Sequence, residues 1–211
     1  MTSKKKRTFF VFGILLLVLF FILGYFVNED LFRSIDYESM GLLQSSVNRK
    51  WDVYISLFTP LGSSEIMTIV IGVIFAWNFF RNKNLYLSLL LYFLIFIFEL
   101  IGKTIIFHPD PPLMFNRYAL GIYFPSSFIV HTNFSFPSGH MARITFISII
   151  ILYFLVSRTF SLKRKITSGL IFAIFIGVFL SRIYLGEHWL SDVLGGILLG
   201  GGLASLSIGL M

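Results

Sequence analysis

The chain has 211 residues, 56% apolar and 18% aromatic with 26 Phe, more apolar surface than a water-soluble domain of this size can hide. Its formal charge of +7 sits in short runs between apolar stretches, so membrane topology explains it and no nucleic-acid partner is implied. The absence of cysteine excludes disulfides, thiolate metal sites and cysteine nucleophiles.

Six apolar stretches approach or reach the roughly 20 residues that cross a bilayer core. They lie near 8 to 27, 61 to 80, 85 to 107, 139 to 157, 167 to 185 and 189 to 210. A backbone in lipid must satisfy its own hydrogen bonds, so each is expected to be α-helical. The expected fold is all-α: a polytopic membrane protein with six transmembrane helices. With no long linker, low-complexity run or repeat, residues 1–211 read as a single domain.

Lys4, Lys5, Lys6 and Arg7 precede the first span. Arg81 and Lys83 separate the second from the third, and Arg158, Lys163, Arg164 and Lys165 separate the fourth from the fifth. With six spans these ten of the seventeen cations share one side, which is then the cytoplasm, together with both termini. The first span is too long for a cleaved signal peptide, and its exit at Tyr25, Phe26, Val27 and Asn28 lacks a small-residue cleavage site.

In the first outer loop Met40, Leu43, Val47, Trp51, Tyr54 and Phe58 recur at intervals of three and four. This predicts an amphipathic helix, either lying in the outer interface or packed on the spans as a connector.

The remaining outer segments concentrate ionisable residues at helix ends. Lys103 closes the third span, Ser138, Gly139 and His140 open the fourth, Arg182 closes the fifth, and His188 and Asp192 open the sixth. In Phe136-Pro137-Ser138-Gly139-His140, Pro137 suits a first helical turn. The amides of Ser138, Gly139 and His140 would then face outward at the positive end of the helix, a place for phosphate. His188 and Asp192 are four apart and share a helix face, so the carboxylate can fix one imidazole nitrogen and leave the other with a free lone pair. Such an imidazole is a competent nucleophile toward phosphorus, and Arg182 offers a planar fork to phosphoryl oxygens. An ordinary helix start and a structural Arg–Asp pair are the plainer readings of the two motifs.

Together these residues resemble the type 2 phosphatidic acid phosphatase family, which shares its active-site plan with vanadium haloperoxidases. Pro137 to His140 match the family's Pro-Ser-Gly-His block, and Ser181 to Asp192 match Ser-Arg-x5-His-x3-Asp. The resemblance implies a lipid phosphatase working through a phosphohistidine at the extracytoplasmic face, on a phosphate monoester or isoprenyl pyrophosphate, with no metal or other cofactor. His188 would be the nucleophile, Asp192 its orienting partner and His140 the general acid. Lys103, Ser138, Gly139 and Arg182 would hold the phosphoryl oxygens. The alternatives are a phosphotransferase using the same site, a transporter and a non-catalytic scaffold. A metal site drawn from His108, His131, His188 and Asp192 matches no familiar motif.

The family's first block, Lys-x6-Arg-Pro, is altered, because Asp110 stands seven residues after Lys103, before Pro111. Arg143, on the His140 face of its helix, is the expected replacement cation, with Arg117 the second candidate. Pairing with a carboxylate of another helix is Arg143's plainer role. Glu99 is expected to support Lys103, and Glu187 to be a solvated interface residue.

Overall fold

The computed structural model describes residues 2–79, 85–121, 134–156 and 161–211. Arg81, Lys83, His131 and Arg158 lie outside the described residues. Every regular element among the described residues is helical. Six helices correspond to the six apolar stretches: α1 (Ser3–Asn28), α4 (Ser64–Phe79), α5 (Leu85–Ile105), α6 (Gly139–Val156), α7 (Leu162–Tyr184) and α8 (Leu190–Leu210). Two more, α2 (Arg33–Ser46) and α3 (Asp52–Ser56), fill the first loop.

Four of these helices, α1, α5, α7 and α8, are long and apolar enough by themselves to cross a bilayer. α4 reaches that length only together with Arg49–Gly62, from which it bends by 49°, and α6 is a shorter apolar helix. The helices also differ in packing. α6 is the central helix, contacted by α4, α5, α7 and α8, and is buried along most of its length. α1, α5 and α7 instead expose large apolar side chains such as Val11, Ile97 and Phe172, the outward face that lipid requires.

The single amphipathic helix expected in the first loop is two helices. α2 ends at Ser46, Val47 is extended, and Asn48 accepts the Lys50 amide at 3.0 Å to start a tight turn over Arg49–Trp51. The short polar side chain offers the backbone a local alternative to the helix. The apolar stripe is therefore not one face: Met40 is fully buried, whereas Trp51 and Tyr54 are exposed.

α8 packs along α1 on one side and α6 on the other. A Cβ added to Gly200 would lie 2.1 Å from the Ala142 carbonyl oxygen, and one on Gly196 2.4 Å from that of Ser138. Only glycine lets these two backbones approach so closely, the small-residue packing by which membrane helices associate. The same contact seats the start of α6 against the start of α8, and this fixes the site.

Candidate active site

Four helix ends meet at one end of the bundle: the C-terminal ends of α5 and α7 and the N-terminal ends of α6 and α8. Lys103, Arg182, Arg143 and His188 all lie within electrostatic reach of His140, so the residues singled out in three separate chain regions converge.

α7 closes with Leu185 and then Gly186 at φ +70°, and the amides of Glu187 and His188 both donate to the Arg182 carbonyl at 3.1 Å. This tight left-handed turn needs glycine, because a Cβ on Gly186 would also lie 2.3 Å from the Phe115 carbonyl oxygen. The turn delivers His188 to the residue just before Trp189, the N-cap of α8. There His188 Nδ1 lies 3.2 Å from Asp192 Oδ2, which also accepts the Trp189 amide at 3.0 Å. In a neutral imidazole the nitrogen facing a carboxylate carries the proton, so Nε2 keeps its lone pair. Burial draws His188 below its ordinary pKa range, with Arg182 and Lys103 adding to this and the hydrogen bond to Asp192 opposing it.

Ser138 sits at the cap position of α6, its carbonyl accepting the Ala142 amide at 3.1 Å. Its own amide does not face outward as expected, because it donates to the Asp192 backbone carbonyl at 3.0 Å. The Ser138 hydroxyl, in contrast, is buried with no hydrogen-bond partner, and so is Arg182 Nε. Buried donors without a partner are costly to maintain in an apolar bundle unless a ligand satisfies them.

The cations are already partly compensated. Arg182 pairs with Glu187 Oε2, which also accepts the Thr59 hydroxyl at 3.1 Å. Glu187 is thus part of the site wall, a correction to its expected role as a solvated residue. Glu99 lies 3.2 Å from Lys103 Nζ through Oε1 and 2.6 Å from Arg143 Nη1 through Oε2. The pairing with Lys103 was expected; that with Arg143 matches the plainer role considered for it. A Cβ on Gly139 would lie 2.0 Å from Glu99 Oε1, so this carboxylate packs directly on Gly139 and only glycine fits there. Arg143 Nε also donates to the Gly62 carbonyl at 3.3 Å, and His140 packs against Gly62.

Asp110 is turned away. It lines a separate cavity of about 280 Å³ with Asp36, His108 and Trp189, among others. Arg117 is engaged elsewhere, on the Tyr184 hydroxyl at 3.0 Å and over the Tyr184 ring. Three residues that the sequence did not bring forward as parts of the site surround Asp192: Ser135 donates to Oδ1 at 3.1 Å, His108 Nδ1 lies 2.8 Å from the same oxygen, and Asp36 backs His108.

The description of the PAP2 superfamily matches residues 85–211, more than half of the chain and all of the site's helix ends. The chain belongs to the PAP2 superfamily. Along its sequence it is similar to phosphatidylglycerophosphatase B of Bacillus subtilis strain 168, with 30% identity over 192 residues, 88% of this chain and 87% of the relative. Among solved structures it is similar to a transmembrane PAP2 type phosphatidylglycerolphosphate phosphatase from Bacillus subtilis, with TM-score 0.72 and 27% identity across 92% of this chain and 93% of that one. LpxE of Aquifex aeolicus shares the fold, with TM-score 0.60 and 23% identity across 82% of this chain and 94% of that one. Its apolar helices and these likenesses support a multi-pass membrane protein, and the phosphatases it resembles support a phosphoric ester hydrolase.

Proposed function

We propose that this PAP2 protein hydrolyses a lipid phosphate monoester or isoprenyl pyrophosphate at the extracytoplasmic face, through a phosphohistidine on His188. The observation that carries this reading is the pair of buried, unpartnered donors, Ser138 Oγ and Arg182 Nε, at the helix ends that also carry His140 and the imidazole held by Asp192. His188 Nε2 attacks phosphorus; the bond to the ester oxygen breaks, and that oxygen takes a proton from His140. Water then attacks the phosphohistidine, His140 accepts its proton, and inorganic phosphate leaves. Lys103, Arg182, the Ser138 hydroxyl and the Gly139 amide hold the non-bridging oxygens, where charge neutralisation supplies most of the rate. Arg143 adds the cation that the family's first block places where this chain has Asp110. No step requires a metal.

Residues 1–211 form one phosphatase domain of six spans, with α4 and the bent segment before it as one of them, and with both termini cytoplasmic. The first loop, α2 and α3, covers the site end of the bundle at the outer interface. Among phosphatidylglycerol phosphate, phosphatidic acid and undecaprenyl pyrophosphate, the likeness to phosphatidylglycerophosphatase B favours the first. Phosphate release from a panel of these lipids by purified protein, in chelator and detergent, tests the reading. Turnover of at least one of them is expected. Failure on every lipid phosphate, with the protein folded, overturns it.

A further inference from the structure

The reaction above uses one oxygen of Asp192, but the other is also committed. His108, which follows α5, places Nδ1 2.8 Å from Asp192 Oδ1 and Nε2 3.4 Å from Asp36 Oδ2. Asp36, on α2, is held in turn by the Ser191 amide at 2.8 Å and the Ser191 hydroxyl at 2.7 Å. All three side chains are buried: Asp192 is 0% exposed, Asp36 1% and His108 5%. An imidazole nitrogen facing an ionised carboxylate is satisfied only as a donor. A ring with a carboxylate at each nitrogen donates twice, and only the imidazolium does that.

We propose that His108 is a positioning residue, an imidazolium clamped between Asp36 and Asp192 that fixes the orienting carboxylate and shares its charge, so that His188 stays neutral and nucleophilic. This rests on His188 being the nucleophile. An Asp192 carboxylate serving His188 alone would favour a protonated His188, which has no lone pair to offer. With His108 charged, Asp36, His108 and Asp192 together carry one negative charge. That charge balances the cationic ring formed when His188 takes the phosphoryl group. It also avoids two buried carboxylates facing each other without a countercharge.

The surrounding charges are consistent with this division. Arg182 and Lys103 face His188 from α7 and α5 and disfavour its protonation, and His140 of α6 lies within electrostatic reach. Asp30, Arg33 and Asp110 line the outer cavity on the His108 side. Ser135 and the Trp189 amide complete the shell of Asp192. Burial by itself would lower His108, but its hydrogen bonds to Asp192 and Asp36 outweigh burial and raise it to about 9.

The chain has four histidines, which makes ring-nitrogen NMR of histidine-labelled protein tractable. At pH 8 one doubly protonated imidazole is expected in the wild-type protein, and the signal is expected to vanish in His108→Asn. The asparagine amide can still donate to Asp192 in place of Nδ1 but carries no charge. The acidic limb of its kcat/KM profile should therefore rise by about one pH unit or more, with KM little changed. In Asp36→Asn the doubly protonated signal should titrate away at a lower pH than in the wild-type protein, because one of the two carboxylates that hold the proton is gone. Absence of a doubly protonated ring in the wild-type protein overturns the proposal, as does a folded His108→Asn with the wild-type limb. If His108→Asn fails to fold, the wild-type spectrum and Asp36→Asn decide. The spectrum needs no turnover, so an active His188→Ala, which would remove the nucleophile assignment, is separable from a failure at His108.

Discussion

Arg143 Nη1 lies 2.6 Å from Glu99 Oε2, an ion pair that ties the central helix α6 to α5 at the depth of the phosphate cradle. The other oxygen of Glu99 holds Lys103, so one half-buried carboxylate offsets two of the cations assigned to the phosphoryl group. An incoming phosphate competes with Glu99 for both. Glu99→Gln removes the competitor, and inorganic phosphate is expected to inhibit this variant at least about tenfold more strongly. A unit charge a few ångströms away near a protein surface is worth more than the 1.4 kcal/mol that tenfold requires. An inhibition constant unchanged from wild type would show that Glu99 does not face the anion site.

Arg143→Ala should lower turnover about 10² to 10³-fold, the usual consequence of removing one transition-state donor. Arg143→Lys should recover part of this, because an ammonium can still pair with Glu99 but cannot reproduce the fork. Asp110→Arg is not expected to rescue Arg143→Ala, because position 110 opens to the cavity of His108 and Trp189. Steady-state rates on the best lipid substrate check all three. Near wild-type turnover by Arg143→Ala would leave Arg143 as a structural partner of Glu99 alone.

His140→Ala should lose most activity on substrates whose leaving group needs a proton. An alkyl phosphate is expected to suffer far more than an activated aryl phosphate, since the general acid matters least when the leaving group departs unaided. Equal losses on the two would remove His140 from that role.

The pH dependence has two parts. kcat/KM should rise as His188 loses its proton, with a midpoint below 6.5, because burial lowers this group. Stability should move differently. His108 is raised to about 9 in the folded protein, so its contribution is fully present below the unfolded value of about 6.5 and is lost as pH climbs through 9. Thermal unfolding in detergent should therefore show a decline between pH 7 and 10 that His108→Asn lacks.

The helices and the site differ in how far they could be read from sequence. Apolar runs located a helix at each of the six stretches, four of them long enough by themselves to cross a bilayer, because lipid leaves the backbone no other solution. The spacing of His188 and Asp192 foretold their contact, but His188 precedes the helix, and Asp192 reaches it by folding back over the Trp189 cap rather than along a shared helix face. What the sequence did not carry was the long-range pairing. His108 and Ser135 meet Asp192 only because the loops after α5 and before α6 fold over the start of α8, with Asp36 of α2 behind His108, and no local period records that. Arg143 and Glu99 are 44 positions apart, so their pairing depended on the relative rotation of two helices that hydrophobic patterning specifies only loosely. The broken helix at Val47 escaped for the opposite reason: apolar periodicity continued across a site where Asn48 turned the backbone.

The central claim is that His188 carries the phosphoryl group between lipid and water. The most direct measurement is to mix the purified protein with lipid phosphate labelled in the phosphoryl group, quench in alkali within a turnover, and map the labelled peptide. Phosphohistidine survives base and is lost in acid, so a base-stable, acid-labile label on the peptide containing His188 is expected. That label should be absent from His188→Ala and should accumulate further in His140→Ala when an activated aryl phosphate is used, since attack by water is then slowed more than formation. Full turnover by His188→Ala, or a label mapped to any other residue, would contradict the account.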